Sequence, residues 1–200
     1  CLSSCHNEKP AKPSQWEVLA VEDLRFIRTT LEANTPNAVD GENTDFNIWL
    51  VQGFAESMQM AQRIDSLDGL LACLRFYASG FKDPHIYITP TSGDRTVKWP
   101  GFIVKYVGER LRIAYIDPEM KFPAPIAVND LLLAVDNRFP KQLIMENIFP
   151  YENLPDKLES SWRIVSPYLF VDDGNPFVTV PKSIFVKTRR GEYAMPLAWT

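Results

Sequence analysis

The chain has 200 residues, 46% of them hydrophobic and 12% aromatic, which is enough to bury a sizeable core in one domain or two small ones and too apolar for a disordered tail. A net charge of −4 and a pI near 5.3 leave no basic surplus to neutralise phosphates, so composition argues against nucleic acid or an acidic membrane surface as the main partner. Every apolar run is interrupted by Lys, Arg, Asp, Glu or Pro before it reaches bilayer-spanning length.

Residues 1–14 are polar, carry prolines and show no periodicity, the composition of a flexible tether. Order is predicted to begin at Ser14, where Ser14-Gln15-Trp16-Glu17 has capping-box spacing. Leu24, Ile27 and Leu31 then recur at helical intervals until Thr35-Pro36 stops the run. A second helix is predicted from Thr44 or Asp45, with Phe46, Trp49, Leu50, Phe54 and Met58 on one face. Ser66 can cap a third, with an apolar stripe of Leu67, Leu70, Leu71, Leu74 and Tyr77 and a left-handed exit at Gly80. Beyond Pro84 the period changes. His85 to Ile88, Phe102 to Val107 and Leu111 to Ile116 read as short strands, the last two joined by a turn at Gly108-Glu109. Leu131 to Val135 is a continuous apolar strand, and Pro155 opens a fourth helix through Leu158, Trp162, Val165 and Leu169. A hairpin of Ser183 to Thr188 and Tyr193 to Trp199 closes the chain.

The expected fold is thus α+β, in three segments. Residues 1–14 are the tether. Residues 15–95 form a three-helix N-terminal cap that ends in the Asp83-Pro84-His85 turn, and residues 96–200 form a β-rich region with one further helix and the C-terminal hairpin.

Chemistry-bearing residues are few. The odd set Cys1, Cys5 and Cys73 has no metal-ligand spacing, and Cys73 within Leu70 to Leu74 reads as a small buried hydrophobe. No cofactor and no metal site are expected. His85 alone stands outside the tether among histidines, at a turn where its imidazole can face a cleft, though a His in such a place is more often a hydrogen-bonded structural residue. Ser79-Gly80-Phe81-Lys82 has Ser-x-x-Lys spacing, but that chemistry needs the serine at a helix N-terminus, and here a helix ends. Asn175-Pro176-Phe177 reads as a plain turn. There is no Gly-x-Ser-x-Gly elbow, zinc helix or phosphate-cradling loop, hence no self-contained catalytic constellation.

The run Leu67 to His85 resembles the helix-to-strand passage of tail-specific, carboxy-terminal-processing serine peptidases, the tricorn-core-like family, in which a leucine-rich helix enters an Asp-Pro-His or Asp-Gly-His turn. Trp99-Pro100-Gly101-Phe102 and Val128 to Asn137 are similar to that family's PDZ-like insert, with Asn129 and Asn137 where glycines are usual. Asn tolerates the left-handed conformation such turns need. Ser166 to Phe170, Asn175-Pro176-Phe177 and Pro196 to Trp199 resemble its connector. The resemblance implies a PDZ-like character for residues 96–200 and a nucleophilic serine on a crotonase-like domain downstream. It implies a role for His85 as general base only together with that domain, and a peptide or protein substrate.

Cys1 followed by a polar tether resembles a bacterial lipoprotein after signal-peptide cleavage, although trimming of another kind leaves the same start. On the lipoprotein reading Cys1 is the lipid-attachment residue, and the membrane is a partner through acyl chains alone. Leu2 carries no inner-membrane retention signal, which places the protein on the periplasmic side of the outer membrane. Two competing classes stay open, a stand-alone PDZ-like peptide-binding lipoprotein and an inactive peptidase relative.

Overall fold

The computed structural model describes residues 12–40, 42–90 and 96–200, so Cys1, Cys5 and most of the expected tether lie outside the described residues. The fold is α+β, with six α-helices and one five-stranded antiparallel sheet among the described residues.

Helix α1 (Gln15–Asn34) begins where the sequence places a cap. Ser14 Oγ accepts the Glu17 N–H at 3.0 Å and donates to the Ile64 carbonyl at 2.8 Å, so one hydroxyl starts the helix and ties it to the loop before α4. Thr35 is extended because the residue before a proline is driven out of the helical region, and Pro36 opens the four-residue α2 (Pro36–Val39). Asn43 caps α3 (Thr44–Ala61) and Ser66 caps α4 (Leu67–Gly80) through the N–H groups of Phe46 and Gly69. These helices bury Ala20 and Leu24, Phe46 and Leu50, and Cys73, Leu74 and Tyr77 in one cluster.

Gly80 does not make the left-handed exit expected of it. It is the last residue of α4, and the indole of Trp49 on α3 lies where its side chain would be. A Cβ at Gly80 would stand 1.9 Å from that ring, and one at Gly53 2.3 Å. The same indole N–H donates at 2.8 Å to the Tyr77 carbonyl, one of the last-turn acceptors without an intrahelical partner. The left-handed residue is Lys82, at φ +52°.

Residues 85–88 are also not the expected strand. Asp83 Oδ1 accepts the His85 N–H at 2.9 Å and the Asp83 carbonyl accepts the Ile86 N–H at 3.0 Å, so groups a ladder would use are closed into a turn.

The sheet runs in sequence order through β1 (Phe102–Val107), β2 (Arg110–Ile116), β3 (Leu131–Val135), β4 (Ser183–Thr188) and β5 (Gly191–Pro196). Gly108 and Glu109, both at positive φ, make the expected tight turn, and Asn129 and Asn137 are left-handed at φ +75° and +61°. Inward residues Phe102, Val104, Ile113, Val135, Ile184 and Val186 form a second core with residues of the intervening helices. One of those helices, α5 (Pro140–Asn147), was not expected. The other, α6 (Glu159–Val165), starts four residues after Pro155 and tightens at Ser166–Phe170 into a 3-10 turn, because Pro167 has no N–H for the Arg163 carbonyl.

The chain that follows α6 returns beside β1 and the residues before it. Tyr106 donates its backbone N–H to Ser166 Oγ at 3.0 Å, Lys98 and Asp172 exchange two backbone hydrogen bonds at 2.9 Å, and Phe170 packs on Phe102 with ring centroids 4.8 Å apart.

Candidate functional site

The turn after α4 carries the described histidine. Left-handed Lys82 reverses the chain, Asp83-Pro84 forms the bend, and the Asp83 carboxylate receives both the backbone N–H and, at 2.9 Å, ring Nδ1 of His85. A carboxylate only accepts, so the neutral ring meets it with the hydrogen on Nδ1, and Nε2 becomes the basic nitrogen. The ring is 90% exposed, whereas the Asp83 side chain is 24% exposed. The hydrogen bond from the His85 backbone N–H does most to hold the Asp83 carboxyl below the usual carboxylate range; burial, the next largest effect, opposes it, and the ring hydrogen bond and ring charge of His85 add less.

The turn is gripped by a segment some seventy residues away. The Asn153 side-chain amide donates to the carbonyls of Asp83 and Ile86, and Lys82 Nζ donates at 3.1 Å to the carbonyls of Phe149 and Glu152. Burial around its ammonium pulls Lys82 below its ordinary range, although the residue as a whole stays exposed, and burial pushes the half-buried Glu152 carboxyl up. Beside the turn opens a cleft of ≈ 460 Å³ lined by Tyr87, Ile88, Arg75, Glu152, Asn153 and Asp173 among others, across which Arg75 and Asp173 pair at 3.1 Å.

His85 is therefore positioned by Asp83 with Nε2 turned outward, an arrangement able to take a proton from a hydroxyl delivered from outside the turn. Among the described residues its ring hydrogen bond runs to Asp83, and no serine or threonine hydroxyl is bonded to it. Cys73 is fully buried, its thiol donates to the Ser57 carbonyl at 3.2 Å, and burial pushes its pKa up to about 12, so it is no nucleophile. Ser79 is buried in the last turn of α4 while Lys82 turns to Phe149 and Glu152, so the Ser-x-x-Lys spacing assembles no pair. Asn175 Oδ1 accepts the Phe177 N–H at 3.0 Å in a local turn, with Phe177 packed on the helical core. No group of three or more potential metal ligands occurs among the described residues. Sequence reasoning missed Asn153 and the role of Lys82. Only the positive φ demanded by a reversal after α4 offered any signal for the latter.

No family model matches the chain, and no curated protein matches it. Solved structures do. Mature CPAF complexed with lactacystin matches with a TM-score of 0.65 and 19% identity over 93% of this chain and 35% of that one. Mature CPAF matches at 0.61 and 18%, over 94% and 36%, and a CPAF mutant at 0.61 and 19%, over 94% and 35%. CPAF is a chlamydial tail-specific protease-like serine protease. At such identity the likeness shows a shared fold, and this chain spans about a third of the length of the chains it matches.

Proposed function

We propose that these 200 residues are the N-terminal portion of an envelope serine peptidase, non-catalytic by themselves, gating or presenting peptide to a crotonase-like domain that carries the nucleophile elsewhere on the polypeptide and that His85 serves only when joined to it. In this reading α1, α3 and α4 form the cap, the sheet is the PDZ-like region, and Cys1 bears the lipid that holds the protein on the periplasmic side of the outer membrane. His85 is the general base. Its Nε2 takes the serine hydroxyl proton as the serine oxygen bonds to the scissile carbonyl carbon, Asp83 steadies the imidazolium, and the proton passes to the leaving amine. The observation that carries the reading is the geometry of His85, held at Nδ1 by a carboxylate and open at Nε2, with no partner hydroxyl bonded to it among the described residues. The fold shared with part of CPAF supports it. Against strand addition at β1 by a stand-alone peptide-binding module stands Ser166 Oγ, which already accepts the Tyr106 N–H of that strand.

The test compares casein hydrolysis by the 200-residue chain with hydrolysis by the polypeptide its gene encodes through and past Thr200. The short chain should be inert to casein and to a serine-reactive probe. The long one should be active, with His85→Ala lowering kcat roughly 100-fold or more. Robust turnover by the short chain, abolished by the probe, would refute the proposal, and so would a stop codon directly after Thr200.

A further inference from the structure

Strands β2 and β3 pair in register at one position, Arg112 opposite Leu131, and β3 is irregular between Leu132 and Ala134. Two hollows of ≈ 560 and ≈ 580 Å³ adjoin there and share Arg110, Leu131 and Leu133 as a common wall. They differ in character.

The first hollow holds four cations, Arg110, Arg112, Lys187 and Arg189, against two carboxylates. Neither carboxylate cancels the arginines. Asp130 is buried and accepts the Ala127 N–H at 2.7 Å, while Glu192 pairs with Lys187 at 3.5 Å. Arg112 is held in place by the Asn129 carbonyl at 2.8 Å, and Arg110 and Arg189 have no carboxylate partner among the described residues. This gathers positive charge on a chain whose net charge is −4. The second hollow is apolar, walled by Leu111, Leu133 and Pro140, and Phe139 stands at its rim with 78% of its surface in water. Glu109 and Lys141 also line it. The Lys141 ammonium is turned away to the Tyr106 hydroxyl at 3.2 Å and lies over the Trp162 ring.

We propose that the double hollow docks an extended acidic peptide carrying one large apolar side chain. Its carboxylates meet Arg110, Arg112 and Arg189, and its apolar side chain lies against Leu133 and Phe139. Charge complementarity selects the acidic partner. The apolar half selects a peptide over a simple polyanion, which has nothing to place there, and the overall negative charge of the chain opposes long anions. The site lies away from the His85 turn and does not depend on the peptidase reading.

Fluorescence anisotropy on the 200-residue chain tests this with a labelled short peptide rich in Glu and carrying one Phe. Matched peptides with Lys for Glu and with Ala for Phe, and unlabelled polyphosphate as competitor, complete the set. Binding should weaken as salt rises, the Lys peptide should not bind, and Arg110→Glu with Arg189→Glu should weaken binding roughly tenfold or more at unchanged melting temperature. Phe139→Ala should weaken binding of the Phe peptide while leaving that of the Ala peptide unchanged. The proposal is overturned by comparable binding of the Lys peptide, by folded variants that bind like the parent, by polyphosphate competing as tightly as the peptide, or by no binding at about 1 mM.

Discussion

His85 and Asp83 show how much a single turn decides. An Asp two residues before a His can reach the backbone N–H of that residue through its own carboxylate, and the same oxygen then meets Nδ1. The ring is thereby oriented by local geometry, although it is almost wholly in water. Because the folded Asp83 carboxyl lies below its unfolded value of about 3.9, folding favours its charged form. That contribution is complete above the unfolded value and is lost as pH falls through the folded one. The stability gap between the parent chain and Asp83→Asn in urea melts should therefore hold steady down to about pH 5 and narrow as pH falls from there to about pH 3. A gap that stays constant would mean the carboxylate charge plays no part in holding the turn.

Among elements, those legible in the sequence carried a local signal, either an apolar run, as in β1, β3 and β4, or a side chain at their own boundary. Ser14 and Ser66 mark the starts of α1 and α4, and Gly108-Glu109 marks the turn between β1 and β2, because caps and tight turns are made by residues within four positions of one another. Helix α5 had a comparable signal in Phe139-Pro140 followed by Leu143 and Ile144, which the apolar run of β3 obscured. The grip of Asn153 and Lys82 on the site was illegible for a different reason. Both join residues about seventy positions apart, and no local pattern encodes such a meeting. Gly80 belongs with these, since its purpose is an indole on another helix. Gly80→Ala should cost roughly 1–3 kcal/mol in denaturant unfolding despite the better helix propensity of alanine, and in a Trp49→Leu background the cost should vanish. Equal costs in both backgrounds would assign the glycine to backbone conformation instead.

At the scale of the whole molecule, most of the buried hydrophobic residues among those described fall into two clusters, one built from the helices up to Phe81 and one from the sheet and its helices. Tyr151 and Phe177, which follow β3 in the chain, pack against the helical cluster, so the second half of the sequence reaches back to fasten the first. This fastening sets the His85 turn against residues 149–153, where the cleft lies. The Trp49 slot has a dynamic consequence for the helical half. An indole seated between two glycines and bonded to a carbonyl of the neighbouring helix has to leave its slot and lose that bond together, so α3 and α4 are expected to separate in one step. Their central amides should exchange with deuterium at one common rate set by a single opening event, and Trp49→Leu should split that rate into two.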